Sequence, residues 1–402
     1  MRSSIFIVLV IGLFSCCGWA DETRSLAIGT AISCLQLVNG DEFRTAKTQG
    51  EAAKTMARVG AVDLSRDILK NIRYYSAPSC YVESILAGFT VCSESSLQEL
   101  VRDGLLSVSL ADGRDRNSPQ AQLLKIGIAL HMANIEKETL SVLGSDDSYL
   151  SNSLAQWKKV YEVSWFSIFL DRIMKRDPWK ELGILPPHAK LKEWKDQIGI
   201  ELFQVRLLLA AALQLQKRDQ AVPNSWVTNA WRALDAPLLN SNPARVALDL
   251  GRLAAQENRE IDAINLWSRL EGFLGQLPAT SFGMYDVIRD ATVASEASGF
   301  GRTEIRRALS AATVKVSSQL NDYEKMLVYP NLAEGYAHLG DTLEAEKLWQ
   351  KTIEIIEKME DRESQAIGLT RCWLSYVGAG RVPSAQLGPR LEKIKKTLPS
   401  VQ

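Results

Sequence analysis

The sequence predicts an all-α protein, an α-solenoid of stacked helical hairpins, and three observations lead to this prediction. The segment from Thr342 to Lys358 places Leu348, Trp349 and Ile353 at helical spacing and leaves Glu and Lys on the opposite side. No convincing pair of alternating strands surrounds an Asn-Gly or Asp-Gly turn. Residues that accept a left-handed turn recur at nearly equal intervals in the C-terminal half, at Asn258, Gly299, Gly340 and Gly380.

The first element is an export signal covering residues 1–20. Arg2 precedes an apolar run from Ile5 to Phe14, which is shorter than the ~20 residues that a membrane-spanning helix needs. Gly18 and Ala20 then supply small residues at the positions that determine cleavage. We therefore expect a cleaved signal peptide and a mature chain without a membrane span, exported to the periplasm or secreted.

An alternative for the same segment is a lipid anchor. Leu13 to Cys16 resembles the lipobox of bacterial lipoproteins, which would place a lipid on Cys16. Phe14 stands where that motif has a small or β-branched residue, so cleavage without lipidation is the favoured interpretation.

Composition narrows the class of protein. The 402 residues include 47 basic and 47 acidic side chains, and 46% of the chain is hydrophobic, which is typical of a folded protein. The chain lacks the excess of basic residues that is typical of a nucleic-acid-binding protein, so no nucleic-acid partner is expected. Only three histidines are present, so a histidine-rich metal centre is not expected.

The mature chain divides into three parts. Helical hairpins are predicted for residues 21–144 and, with a clearer repeat, for 201–402. Residues 145–200 connect them and contain four tryptophans, broken by Asp177-Pro178 and Pro186-Pro187. Such an aromatic cluster could line a groove for a peptide or a sugar, but it is more typical of a core between two arrays.

Two repeat units in the C-terminal part share one register. Each combines small or apolar residues on two helices with a turn residue between them. The units carry Leu250, Gly251, Asn258, Ala263 and Trp267, and Leu332, Tyr336, Gly340, Ala345 and Trp349.

The second of these units resembles the tetratricopeptide repeat (TPR), which has large apolar, aromatic, glycine, alanine and aromatic residues at these spacings. The interval between units, such as that from Gly299 to Gly340, is longer than the ~34 residues of the family's repeat. The resemblance implies a protein-interaction scaffold with no cofactor, in which the first helix of each hairpin lines a concave face. The implied binding positions are Gln204, Arg245, Arg252, Gln256, Asp286, Arg289, Glu296, Glu334 and His338.

Motifs for catalysis are largely missing. The chain has no GxxxxGK[ST] phosphate loop, no HExxH zinc helix, no GxSxG nucleophile elbow and no CxxC pair. The segment Glu296 to Phe300 resembles the glutamate segment of lytic transglycosylases, without the second motif of that family. We therefore expect an exported non-catalytic scaffold that binds another protein, with an envelope glycan-binding or glycan-cleaving protein as the alternative.

Four cysteines remain in the mature chain. In an oxidising compartment, an even number permits disulfides. Cys80 and Cys92 lie too far apart along one predicted helix to bridge each other. The alternative is that Cys34, Cys80, Cys92 and Cys372 are all small buried side chains.

Overall fold

The computed structural model describes two long parts of the chain. Within these parts, every secondary-structure element is a helix or a turn, which confirms the all-α prediction for them. The predicted signal peptide and the aromatic segment 145–200 lie outside the described residues. The described residues are 24–38, 41–72, 77–89, 91–107, 205–206, 208–210, 212–213, 215–216, 222, 224–234 and 242–398.

The C-terminal part consists of consecutive antiparallel hairpins. The helices are α6 (Asn224–Ala233), α7 (Asn242–Gln256), α8 (Glu260–Gln276), α9 (Phe282–Ser298), α10 (Arg302–Gln319), α11 (Asp322–His338), α12 (Thr342–Lys358), α13 (Arg362–Gly378) and α14 (Gly388–Thr397). Successive first helices α7, α9, α11 and α13 pack side by side in an inner layer. The second helices form an outer layer, in which α8 contacts α10 and α12 contacts α14.

The N-terminal part also consists of consecutive helices that pack against their neighbours. Residues 24–35 form helix α1, followed by α2 (Glu42–Arg58), α3 (Val62–Lys70), α4 (Ala77–Gly88) and α5 (Glu94–Ser107). Helix α2 packs closely on both α3 and α4, and α3 contacts α5. Consecutive helices packed against their neighbours are compatible with a helical-repeat fold.

Local sequence explains where the helices begin and end. Asn321 starts α11 with a capping box, in which its side chain accepts from the Glu324 amide and Glu324 accepts from the Asn321 amide. Turns between the first and second helix of a hairpin use residues with positive φ, a conformation that glycine adopts without strain. These residues are Gly60, Asn258, Gly299, Gly340 and Gly380, with φ of 80°, 56°, 80°, 80° and 62°.

Two tryptophans of the repeat register are fully enclosed. Trp349 is 1% exposed, stacks on Tyr376 with ring centroids 4.1 Å apart, and donates to Ser375 Oγ at 2.8 Å. Trp267 is also buried, and it packs against Gly251. Both tryptophans thus fill the space between a hairpin and its neighbour. The other apolar register positions, Leu250, Ala263, Leu332, Tyr336 and Ala345, are buried as well.

The two described parts are joined by direct contacts. Helix α2 packs along α13, so the inner layer continues from the C-terminal into the N-terminal hairpins. At one end, the Asp41 amide donates to Glu363 Oε1 at 3.0 Å. On the outer side, Lys395 of α14 donates to Ser33 Oγ of α1 at 2.7 Å. The first and last hairpins therefore belong to one packed body.

Two expectations from the sequence can be compared with the described residues, namely the state of the cysteines and the lack of a membrane span. Cys34 and Cys372 are free thiols among the described residues, and both are buried, as is Cys92, whereas Cys80 is half-buried. Burial raises the pKa of the Cys34 thiol to about 12, so it remains protonated and unreactive at neutral pH. Among the helices described, none combines the length and the apolarity that crossing a bilayer would require.

Candidate ionic centre

An ionic network lies where α2 meets the inner layer of the C-terminal hairpins. Lys54 of α2 donates to Asp286 of α9 at 3.0 Å, and Arg58, one turn later on α2, pairs with Glu334 of α11. The Lys54 side chain is 10% exposed and the Glu334 side chain 1%. These pairs connect residues that are far apart in the sequence, so folding alone brings the charges together.

Helix α9 supplies the centre of this network through three neighbouring residues. Arg289 donates to Asp290 Oδ1 at 2.8 Å and lies 3.5 Å from Asp286 Oδ1. Asn331 of α11 adds a hydrogen bond to Asp286 at 2.8 Å. Arg245 of α7 lies 3.4 Å from Asp290 and 3.8 Å from Asp286. Each of these two carboxylates therefore has at least two cationic neighbours.

The charges of these neighbours keep the carboxylates ionised despite burial. Burial alone would raise the pKa of Asp286, but Lys54, Arg289 and Arg245 hold it well below its ordinary value. Burial opposes ionisation of Glu334 in the same way, and Arg58 and Arg289 outweigh it, so the pKa of Glu334 is lowered. The centre is a set of fixed charges at neutral pH, because these carboxylates stay ionised and hold no proton to donate.

A histidine links the buried network to the surface. His338 Nδ1 lies 2.7 Å from the exposed Glu296 carboxylate, and Nε2 lies 3.8 Å from Glu334. Burial favours the neutral ring, but Glu334 and Glu296 outweigh it and raise the pKa of His338. The imidazolium form is therefore the one that this site stabilises.

A cavity of about 70 Å³ adjoins the network, between α2, α4, α7, α9 and the helical residues around Arg206. Its apolar wall includes Leu86, Phe89 and Leu213. Its polar wall consists of charged side chains from both described parts of the chain. They are Lys54, Arg58, Glu83, Arg206, Arg245, Asp249, Arg252 and Asp290.

The structure distributes the predicted groove residues over three environments. Asp286, Arg289 and Glu334 are buried under α2, and Arg245 is largely enclosed with them. Arg252 is half-buried, where it contacts Asp249 at 3.0 Å. Gln256 and Glu296 are exposed near the ends of α7 and α9, and His338 is partly exposed at the end of α11. Gln204 lies outside the described residues.

This placement corrects one physical expectation that the register implied. Residues on an open concave face would be solvated, yet the Arg289 side chain is only 4% exposed. The reason is that side chains of α2 reach these residues, with Lys54 paired to Asp286 and Arg58 to Glu334. The register placed these residues on the first helices of hairpins, but it contained no information about an element from the other end of the chain.

Sequence reasoning missed the N-terminal half of the centre. Lys54 and Arg58 occur in an alanine-rich helix that looks like any amphipathic segment. A usable signal was present in α9, where Asp286, Arg289 and Asp290 interrupt a helix of mostly apolar buried residues. Residues missed altogether are Lys54, Arg58, Glu83, Arg206, Asp249, Asp290 and Asn331.

The fold and this centre define a class, an all-helical repeat-like protein whose inner layer is closed by a buried ionic network. No family model matches the chain, and no curated protein or solved structure shows significant similarity to it. Within the described residues, no group of histidine, cysteine and carboxylate side chains could hold a metal ion. The aromatic part of the glycan alternative lies outside the described residues, and that alternative stays a prediction.

Proposed function

We propose that this protein is an exported, non-catalytic scaffold of TPR-like helical hairpins that binds another protein in the cell envelope. Support comes from the consecutive hairpins, their left-handed turn residues and the two enclosed tryptophans. Stacked hairpins create a large rigid surface at low conformational cost, which suits protein recognition. The binding surface must be one that α2 leaves open.

The edge formed by the hairpin turns is such a surface, and we call it the turn edge. Ile261 and Leu343 are each the second residue of an outer helix, at equivalent positions of two repeat units, and they are 76% and 69% exposed. This recurrence at equivalent positions is the observation that carries the proposal. Single exposed apolar residues are common, whereas repeated ones on one edge favour a shared role. Gln256, Glu296 and His338 from the predicted groove lie near the same edge.

We infer that the partner presents apolar side chains to Ile261 and Leu343 and polar groups to the residues around them. Apolar anchors surrounded by a polar rim are the usual anatomy of an interface. The turn edge therefore replaces the covered inner layer as the docking surface of the scaffold.

The test begins with the mature chain as bait in cross-linking from its native envelope, followed by affinity measurement with the purified partner. Ile261→Asp combined with Leu343→Asp should weaken binding by about tenfold or more, because charges replace the apolar anchors. Val314→Asp is the matched control, since Val314 is 66% exposed on α10 but lies about 18 Å along that helix from its first turn. Equal binding by the double variant and the control would refute the turn edge as the docking surface.

A further inference from the structure

The cavity beside the ionic centre has more positive than negative side chains around it. Its lining contributes five cations and three carboxylates. Adding Arg289, Asp286 and Glu334, which form ion pairs with the lining, gives six cations and five carboxylates in this cluster of described residues. A buried cluster with one unmatched cation is costly unless a further anion joins it.

Two arginines leave hydrogen-bond donors unused at this position. Arg58 uses Nη1 to pair with Glu334, while its Nε and Nη2 are buried without a hydrogen-bond partner in the described structure. Arg206 Nε is likewise buried and unpartnered among the described residues. The great majority of buried polar groups in proteins are hydrogen-bonded, and an unsatisfied donor is the kind of group that an ion or a water satisfies.

The other two arginines on the lining are held in place by carboxylates. Arg245 contacts Asp290 and Asp286, and Arg252 contacts Asp249 at 3.0 Å and the Asp290 backbone oxygen at 3.2 Å. Arg206 has no such carboxylate partner in the part of the chain that the structure describes. Burial and the neighbouring Arg245 charge lower the pKa of Arg206 by more than the more distant charges of Glu83, Asp249 and Asp290 raise it, whereas Arg289, which is paired directly, has a raised pKa. Among the described lining residues, Arg206 is therefore the cation whose charge is least compensated.

We propose that this cavity is a binding site for a small oxyanion, a phosphate or a carboxylate, held between Arg206 and Arg58. Guanidinium groups present parallel N–H donors that match the oxygens of either anion. This site is separate from the turn edge and goes beyond the proposed scaffold function.

Size and access agree with such a ligand. About 70 Å³ is several times the ~10–15 Å³ that a single water needs, so the cavity can hold a group of a few heavy atoms. Glu83 and Val91 are exposed and also line the cavity, so it reaches the surface beside them. The apolar wall of Leu86, Phe89 and Leu213 limits hydration of the bound ion and strengthens the attraction.

The test uses the mature chain and four probes: inorganic phosphate, sulfate, acetate and succinate. Binding is measured by calorimetry and by the melting temperature at constant ionic strength, with chloride as the reference anion. We expect the melting temperature to rise with the concentration of at least one oxyanion, because a ligand that binds only the folded state stabilises it. Response to phosphate and sulfate alone assigns a phosphate-type ligand, and response to acetate or succinate alone assigns a carboxylate.

Variants connect that response to the cavity. Arg206→Gln should weaken oxyanion binding about tenfold or more, since it removes the unmatched charge. Arg206→Met should in addition melt above the unmodified protein in chloride, because the unpaired buried charge is gone. Arg259→Gln is the control, as Arg259 is 40% exposed and forms surface ion pairs with Glu257 and Asp262.

A second variant, at Arg58, keeps the proposal testable if the Arg206 variants misfold. Arg58→Lys keeps the positive charge but removes the unpartnered Nε and Nη2 donors, so the oxyanion response should fall while chloride stability changes little. The proposal is overturned if none of the four probes acts beyond chloride. It is also overturned if Arg206→Gln and Arg58→Lys both respond as strongly as the unmodified protein.

Discussion

Trp267 fits its site because two facing positions have no side chain. A Cβ on Gly251 would overlap the indole, and one on Gly301 would come within 2.7 Å of indole Cε3. Gly301 also has a φ of 65°, which disfavours any other residue there. At the scale of single residues, glycine thus determines how closely the tryptophan-bearing helix approaches its neighbours.

Replacing Gly251 by Ala should therefore destabilise the protein. The added methyl group overpacks the core, and such changes typically cost ~1–3 kcal/mol, more than the gain in helix propensity. Gly272→Ala is the control, because a Cβ there meets open space in the interior of α8 and should stabilise by up to ~1 kcal/mol. Chemical denaturation measures the free energy of unfolding of both variants. If both variants shift stability in the same direction, the packing around Trp267 is misassigned.

His338 should make stability depend on pH. Its pKa is raised in the folded protein, because Glu334 and Glu296 stabilise the imidazolium more than burial opposes it. Its contribution is then fully present below the unfolded value of about 6.5 and is lost as the pH rises through the folded value. We expect the melting temperature to fall over that interval, and to fall less in His338→Gln. The same fall in the variant would mean that another group is responsible.

Helix α2 is the element that converts an open inner layer into a closed one. Its N-terminus is fixed by Asp41, which contacts Glu363, and its C-terminal turns insert Lys54 and Arg58 among α9 and α11. Because each of these charges is enclosed, removing one leaves its carboxylate partner buried with fewer cationic neighbours. The stability of this element therefore depends on complete pairing more than on helix propensity.

Lys54→Met tests the role of this element. Breaking a buried ion pair typically costs ~3–5 kcal/mol, and we expect the lower end because Asp286 keeps Arg289 and Asn331. Lys70→Met is the control, since the Lys70 side chain is 53% exposed and lies 3.6 Å from Asp103, a surface arrangement worth ~0–1 kcal/mol. Comparable losses for the two lysines would show that the Lys54 pair with the inner layer is not enclosed in solution.

At the scale of the whole molecule, the contact between the first and last hairpins couples distant repeats. In an open array each repeat affects only its neighbours. Here α2 packs on α13 and is paired to α9 and α11, so the loss of C-terminal packing removes the support of an N-terminal helix. The described parts should therefore unfold together.

Trp349→Ala tests this coupling. Truncating a buried Trp typically costs ~3–5 kcal/mol, and Trp349 also loses its stacking on Tyr376. We expect faster hydrogen exchange in α2 as well as in α11 to α13, because the two ends share one core. Exchange that accelerates only in α11 to α14 would indicate an open array with independent ends.

Much of the fold was readable from the sequence, and the candidate site only in part. Helix spacing and the turn residues at Asn258, Gly299, Gly340 and Gly380 identify the hairpins, because helices and left-handed turns depend on nearby residues. The same register placed Arg289 and Glu334 on first helices. It could not show their burial, which depends on side chains far away in sequence.

The helical class of the described residues, the positions of the C-terminal hairpins and the register of the two tryptophans could be read from the chain alone, since each follows from periodicity and from local steric rules. The pairing of Lys54 and Arg58 of α2 with Asp286 and Glu334 of the inner layer became visible only in the folded molecule. The same folding leaves Arg206 Nε beside the cavity without a hydrogen-bond partner among the described residues. The physical reason is that charge pairing acts through space between helices, and no local pattern along the chain records which helices will meet.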